Sequence, residues 1–89
     1  MFKIVFLFVL TYTTSLASNI EEMYAKGFYK EIVEEYRAEN DSDRYFVGAS
    51  FYKLGEFEKA VAILENVEKE HLEESQFLLV SSFLSLSDL

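Results

Sequence analysis

The chain has 89 residues, 16 acidic against 8 basic side chains and a formal net charge of -8, so it has room for one small domain. A chain this acidic is repelled by nucleic-acid phosphates and by anionic lipids, so we expect neither nucleic acid nor a membrane surface as a partner. Cysteine is absent, which excludes a disulfide framework, thiol catalysis and a cysteine-linked lipid anchor.

The first 17 residues have the pattern of a secretory signal peptide. Lys3 precedes the unbroken apolar run Ile4–Leu10, and residues 15–17 (Ser-Leu-Ala) offer the small side chains that signal peptidase requires. This run is shorter than the about 20 apolar residues that span a bilayer. We therefore expect an exported protein, periplasmic or secreted, whose mature domain covers residues 18–89. An uncleaved leader would instead anchor the protein in a membrane, which is the only membrane contact we expect.

The rest of the chain shows helical spacing, and no segment alternates as a strand does. The first apolar face consists of Phe28, Tyr29, Ile32, Val33 and Tyr36. The polar segment 38–43 breaks this pattern and offers Asn, Asp and Ser as helix caps.

Three further helices are predicted. One runs from about Asp43 to Leu54, is apolar on most sides, and ends at Gly55, which suits a left-handed cap. Because its apolar residues surround the helix, we expect it to be packed on more than one side. The next carries Phe57, Ala60, Val61, Leu64 and Val67 on one face, and the last begins near Glu73. The predicted fold is all-α.

An internal repeat divides these helices into units. The segment 24–33 (YAKGFYKEIV) matches the segment 52–61 (YKLGEFEKAV), which lies 28 positions later. A fainter match relates 51–57 to 83–89, at an offset of 32. One helix–glycine–helix unit is therefore used about three times.

The best copy, residues 41–74, resembles the tetratricopeptide repeat, a two-helix unit of about 34 residues. Arg44 and Leu72 depart from the family's usual tryptophan and proline. The resemblance implies antiparallel helix–turn–helix repeats stacked as a short solenoid. Glycine and alanine suit positions where helices approach closely, and aromatic side chains fill the space between them. The structural repeat positions are Gly27, Gly48, Phe51, Gly55, Phe57, Ala60 and Leu64.

The resemblance also implies a binding site, because in this family the first helix of each pair lines a concave groove that holds a peptide or a partner helix. Carried over position by position, the groove residues are Tyr24, Tyr45, Ala49, Tyr52, Lys53 and Phe77. Lys53 is their only cation, so the lysine, arginine and asparagine clamp that some members use for a terminal carboxylate is not expected.

The sequence offers no constellation for catalysis. The only histidine, His71, lies near a predicted helix end and is expected to face solvent. Adjacent glutamates such as Glu73 and Glu74 point in different directions on a helix and are interpreted as a solvated face. We therefore predict no enzymatic activity, no cofactor and no metal site.

The last helix leaves a question open. The segment 77–89 has one charged side chain, Asp88, and many apolar ones, so it would expose a patch that associates with another surface. The chain could be the N-terminal part of a longer array, which we favour, or a homodimer joined through this helix. The same face could also bind a different protein.

Overall fold

The computed structural model describes residues 19–88, apart from the side chain of Asn19, and the signal peptide predicted over residues 1–17 lies outside this range. Five α-helices follow one another within it, and this part of the chain contains no strand. The all-α prediction is therefore confirmed. The helices are α1 (Asn19–Ala25), α2 (Tyr29–Glu35), α3 (Asp41–Lys53), α4 (Phe57–Leu64) and α5 (Leu72–Ser87).

The helices form a series of packed hairpins around α3. Each helix contacts the next one along the chain, and α3 also contacts both α1 and α5. Helices α1, α3 and α5 therefore lie side by side in one row, against which α2 and α4 pack. The expectation that the second predicted helix is packed on more than one side is confirmed, because α3 touches all four of the others.

Two glycines close the first two hairpins with the same turn. Gly27 and Gly55 have φ angles of 85° and 80°, in the left-handed region that side chains with a Cβ rarely adopt. In each turn the glycine N–H donates to the carbonyl three residues earlier, at 3.1 and 3.0 Å. The following N–H, of Phe28 or Glu56, donates to the carbonyl five residues earlier, at 3.0 and 2.9 Å. This pair of bonds is the Schellman arrangement, which satisfies carbonyls at the helix end.

The start of α3 is capped as the sequence predicted. The side-chain oxygen of Asn40 accepts a 2.9 Å hydrogen bond from the backbone N–H of Asp43. Such a bond satisfies one of the free N–H groups of the first turn. The polar segment between the second and third helices therefore fixes where α3 begins.

Three apolar residues that were assigned to helix faces lie just beyond the helices. Phe28 directly precedes α2 and is 45% exposed, whereas the other two are covered. Tyr36 has extended backbone angles after the end of α2, and Val67 follows α4, whose last residue is Leu64. The side chain of Asn66 donates to the carbonyl of Ala62 at 2.9 Å, which satisfies an acceptor at the end of α4. Val67 is nevertheless buried, and Tyr36 packs on the core. Apolar spacing predicted their burial and missed the helix ends.

The packing of α3 on α4 depends on Gly48. A Cβ atom added to this glycine would lie 2.6 Å from Cγ and 2.7 Å from Cδ2 of Leu64. Both distances are shorter than van der Waals contact, and Leu64 is itself buried, so its side chain has little room to move. Ala60, also on α4, is fully buried. Small residues at these positions allow the two helices to approach closely.

Helix α5 buries two serine side chains completely and exposes several large apolar ones. Ser75 and Ser82 are fully buried, and their hydroxyl oxygens have no hydrogen-bond partner among the described residues. A buried hydroxyl without a partner destabilises a fold by about 1–3 kcal/mol. The opposite side of the helix exposes four large apolar residues, Phe77, Val80, Phe83 and Leu84.

We predict that Ser82→Ala raises the free energy of unfolding by about 1 kcal/mol, because it removes the buried hydroxyl that lacks a partner. Ser50→Ala is the matched control. Ser50 is equally buried, but its hydroxyl donates to the carbonyl of Phe46 at 2.7 Å. Its replacement should lower the free energy of unfolding by up to about 1 kcal/mol. Urea unfolding followed by circular dichroism measures both, and a loss of stability in Ser82→Ala would contradict the prediction.

Candidate functional site

The carboxylate of Asp41 joins the start of α3 to the loop between α4 and α5. It accepts backbone N–H groups from Glu68 at 3.1 Å, Lys69 at 2.6 Å and Glu70 at 3.1 Å. The guanidinium of Arg44 lies 3.3 Å from the same carboxylate. Hydrogen bonds to an ionised acceptor are stronger than those between neutral groups. This loop is therefore held where α5 has to begin.

The donors around Asp41 also set its charge state. The backbone N–H of Lys69, followed by that of Glu68, holds the pKa of Asp41 below its usual value of 3.8, because both stabilise the ionised form. Partial burial acts in the opposite direction, and Glu70 and Arg44 contribute less. The carboxylate is therefore anionic throughout the physiological range.

His71, the next residue in this loop, is part of the packing. Its backbone is left-handed, with φ 64° and ψ 27°, which is uncommon for a residue other than glycine. The imidazole stacks on the ring of Tyr45 with centroids 4.6 Å apart and planes 11° apart, and it meets Phe46 edge-on at 5.3 Å. Its Nδ1 lies 3.3 Å from a carboxylate oxygen of Glu74. The sequence predicted that His71 faces solvent, whereas its side chain is packed on one side and 28% exposed.

Helices α1, α3 and α5 border an open cavity of about 500 Å³. We call this cavity the groove. Volumes of this size are typical of sites that bind ligands. The groove residues are Tyr24 from α1, Tyr45 and Lys53 from α3, and Glu73, Glu74, Phe77 and Leu78 from α5.

Four of the six residues predicted to line a binding groove meet in this cavity, namely Tyr24, Tyr45, Lys53 and Phe77. The rings of Tyr24 and Tyr45 lie 6.4 Å apart at a tilt of 50°. The side chain of Phe77 is the most exposed of the large apolar residues, at 71%. Its ring is therefore available to a ligand.

The other two predicted groove residues lie elsewhere. Ala49 is fully buried, because α3 is surrounded by other helices and its methyl group is covered by them. Tyr52 packs edge-to-face on Phe57 at 5.5 Å, across the turn that brings α4 back along α3. Both residues lie on the face of α3 that carries Tyr45 and Lys53, but neither lines the cavity.

The sequence also missed three groove residues: Glu73, Glu74 and Leu78. The two glutamates were interpreted as a solvated pair, because adjacent residues on a helix point in different directions. A signal was present, however. The repeat offset of 32 that relates Tyr45 to Phe77 also relates Ser42, in the first turn of α3, to Glu74. If the offset of 32 had been applied to every residue in the first turn of α3, Glu74 would have been among the predicted groove residues.

Burial controls the ionisation of the two groove tyrosines. It raises the pKa of Tyr24 to about 12, with smaller contributions from Tyr45 and Tyr29. Burial also raises the pKa of Tyr45, and the nearby Glu74 carboxylate adds to this effect. The pKa of Glu74 is lowered by its own backbone N–H and by His71. At neutral pH the groove therefore presents neutral phenols beside an ionised carboxylate.

Other kinds of site were sought across the same residues. Between residues 19 and 88, no cluster of three or more histidine, cysteine or acidic side chains is arranged to hold a metal ion. No helix in this range is long and apolar enough to span a bilayer. Comparison with protein-family models, curated proteins and solved structures finds no match to the chain. The functional interpretation therefore depends on the geometry of the groove and of α5.

We predict that Asp41→Asn lowers the melting temperature at neutral pH, because an amide presents one acceptor oxygen instead of two to the three N–H groups. The depressed pKa of Asp41 means that its contribution is present above about pH 4 and is lost as the pH falls through the lower folded value. The variant should therefore lose less stability on acidification than the wild type does.

The control is Asp43→Asn, which changes the same charge in the same turn of α3 but leaves the bonds to the loop in place. Its stability should follow that of the wild type as the pH falls. Urea unfolding at pH 7, 5 and 3 measures the difference. Parallel loss of stability in Asp41→Asn and the wild type would show that the carboxylate does not hold the loop.

Proposed function

We propose that this protein is an exported, non-enzymatic scaffold of the tetratricopeptide type, which binds a peptide or a helix of another protein in the groove between α1, α3 and α5. The observation that carries this proposal is that Tyr24, Tyr45, Lys53 and Phe77 line one cavity. These residues were selected by repeat position on three separate helices. A concave binding surface requires that such residues line the same cavity.

The turns support the repeat assignment. Gly27 and Gly55 occupy equivalent repeat positions and make the same pair of backbone hydrogen bonds, each with a positive φ. The first helices of successive units, α1, α3 and α5, lie side by side, and in the tetratricopeptide family these helices line the groove. In such an array each repeat packs on its neighbours, so equivalent turns and a shared row of first helices support this assignment.

The chemistry of the groove suits peptide recognition. Tyrosine and phenylalanine offer large contact areas while losing little conformational entropy on binding. The ring of Tyr45 is already held by the imidazole of His71, and Tyr24 also meets the ring of Tyr29 at 5.3 Å. Aromatic rings fixed before a ligand arrives reduce the ordering cost of binding.

The exposed face of α5 favours a second candidate, self-association. Phe77, Val80, Phe83 and Leu84 are 55–71% exposed on one side of this helix. Contiguous apolar surfaces of this kind on soluble proteins mark sites of association. A second copy of the chain could cover them by packing its own α5 alongside.

We predict that two phenylalanine variants distinguish peptide binding from self-association. Peptides are selected from a library displayed on phage, with the purified protein as bait. Phe77→Ala should weaken binding of the selected peptides by at least about tenfold, because a groove ring is lost. Phe83→Ala, on the same helix but outside the groove, should leave peptide affinity unchanged. Both side chains are exposed, so stability should change by less than about 0.5 kcal/mol.

Sedimentation of the same variants tests the second candidate. A wild type whose mass rises with concentration, and a Phe83→Ala variant that stays monomeric, would favour a structural homo-oligomer. Failure to select any peptide, or equal peptide affinities for the two variants, would contradict the groove proposal.

Export is tested by the intact mass of the protein from its native cells. Export with cleavage predicts a mass lower than 10.4 kDa by residues 1–17. Ala17→Phe should block cleavage, because the peptidase requires a small residue at this position. An unprocessed wild-type mass would indicate a retained leader that anchors the protein in a membrane. A mass well above 10.4 kDa would identify the chain as part of a longer array.

A further inference from the structure

The groove combines aromatic rings with an excess of carboxylates. Its charged residues are Lys53, Glu73 and Glu74, so its formal charge is one negative. Among residues 19–88, no ion pair joins Lys53 to either glutamate. The carboxylates are therefore not neutralised by the one lysine that shares the cavity with them.

We propose that the groove selects a cationic side chain, so that its ligand is a basic peptide segment with an arginine or lysine inserted between the rings and the two glutamates. This inference depends on the proposed function, since it names the chemistry of the ligand that the groove binds. It is distinct from that function because the same groove could instead bind apolar or acidic peptides.

The rings provide the first part of the argument. Tyr24, Tyr45 and Phe77 border a cavity that is largely open to solvent. Aromatic faces attract cations through their electron-rich centres. The pKa values of the two tyrosines are raised, so both phenols are neutral at physiological pH. Their ring faces can contact a cation, and their hydroxyl groups can form hydrogen bonds with the ligand. A guanidinium also stacks on such rings more readily than an ammonium does.

The carboxylates provide the second part. Glu73 and Glu74 lie in the first turn of α5 and line the same cavity as Tyr24 and Tyr45. A cation between the rings would therefore have an anionic partner within the same cavity, which strengthens the hydrogen bonds it makes. An acidic ligand would be repelled by two like charges and attracted by Lys53 alone.

The whole chain acts in the same direction. With 16 acidic and 8 basic side chains, its field attracts basic partners and repels acidic ones before contact. This field does not by itself determine which residue of the peptide enters the groove. The groove can make that selection, because its rings and carboxylates surround one cavity. A test must therefore separate local recognition from attraction by the net charge.

The experiment uses three synthetic libraries of short peptides that are identical except at a fixed central position. That position is arginine in the first, citrulline in the second and glutamate in the third. Citrulline has the shape of arginine without its charge. Binding to the purified protein is measured at about 0.15 M salt, where charges beyond about 8 Å are largely screened. We expect the arginine library to bind at least about tenfold more tightly than the citrulline library.

Two variants locate the effect. Glu73→Gln should reduce the preference for arginine over citrulline, and it is chosen because Glu74→Gln would also remove the contact with His71. Glu31→Gln is the matched control, because it makes the same change in net charge on α2, outside the groove. It should leave the preference unchanged.

The outcomes distinguish this inference from the function on which it depends. Equal binding of the arginine and citrulline libraries, with Phe77→Ala still reducing both, would overturn the cationic preference and leave the groove function standing. An equal effect of Glu73→Gln and Glu31→Gln would assign the preference to net charge and overturn the inference as well. If none of the three libraries binds, both the inference and the groove function fail.

Discussion

The three hydrogen bonds to the carboxylate of Asp41 are the constraint on which the rest of the site depends. They connect the first turn of α3 to backbone N–H groups that lie two to four residues before the start of α5. Because His71 follows these groups directly, the same bonds bring its ring onto Tyr45, one helical turn beyond Asp41. These contacts with α3 therefore fix the position of the start of α5, which carries the two glutamates of the groove.

Much of the fold could be predicted from the sequence, because its signals are local. Apolar spacing identifies the helices, and glycine at the two turns is required by a positive φ that the neighbouring residues do not share. The repeat offsets then relate Tyr24 to Tyr52 and Tyr45 to Phe77, even though the two residues of each pair are on different helices. Periodicity and offsets describe each unit well because each unit is a short helix–turn–helix.

What the sequence missed depends on which residues of a helix face are covered by other elements. Ala49 and Tyr52 share the face of α3 that carries Tyr45 and Lys53, but neighbouring helices bury Ala49, and the ring of Tyr52 packs on Phe57. His71 and the bonds of Asp41 were missed for a related reason. The donors to Asp41 are backbone N–H groups 27 to 29 positions away, and backbone groups leave no trace in the choice of amino acid.

The position of Phe77 has a consequence for how the protein would respond to its own concentration. Its ring borders the groove and also belongs to the apolar face of α5. A second copy packed on that face would cover the ring, so dimer formation and ligand capture would compete for one side chain. By mass action, such competition makes the apparent affinity for a ligand fall as the protein becomes more abundant, while ligand in excess dissolves the dimer. A single phenylalanine would thus couple the assembly state of the protein to its occupancy.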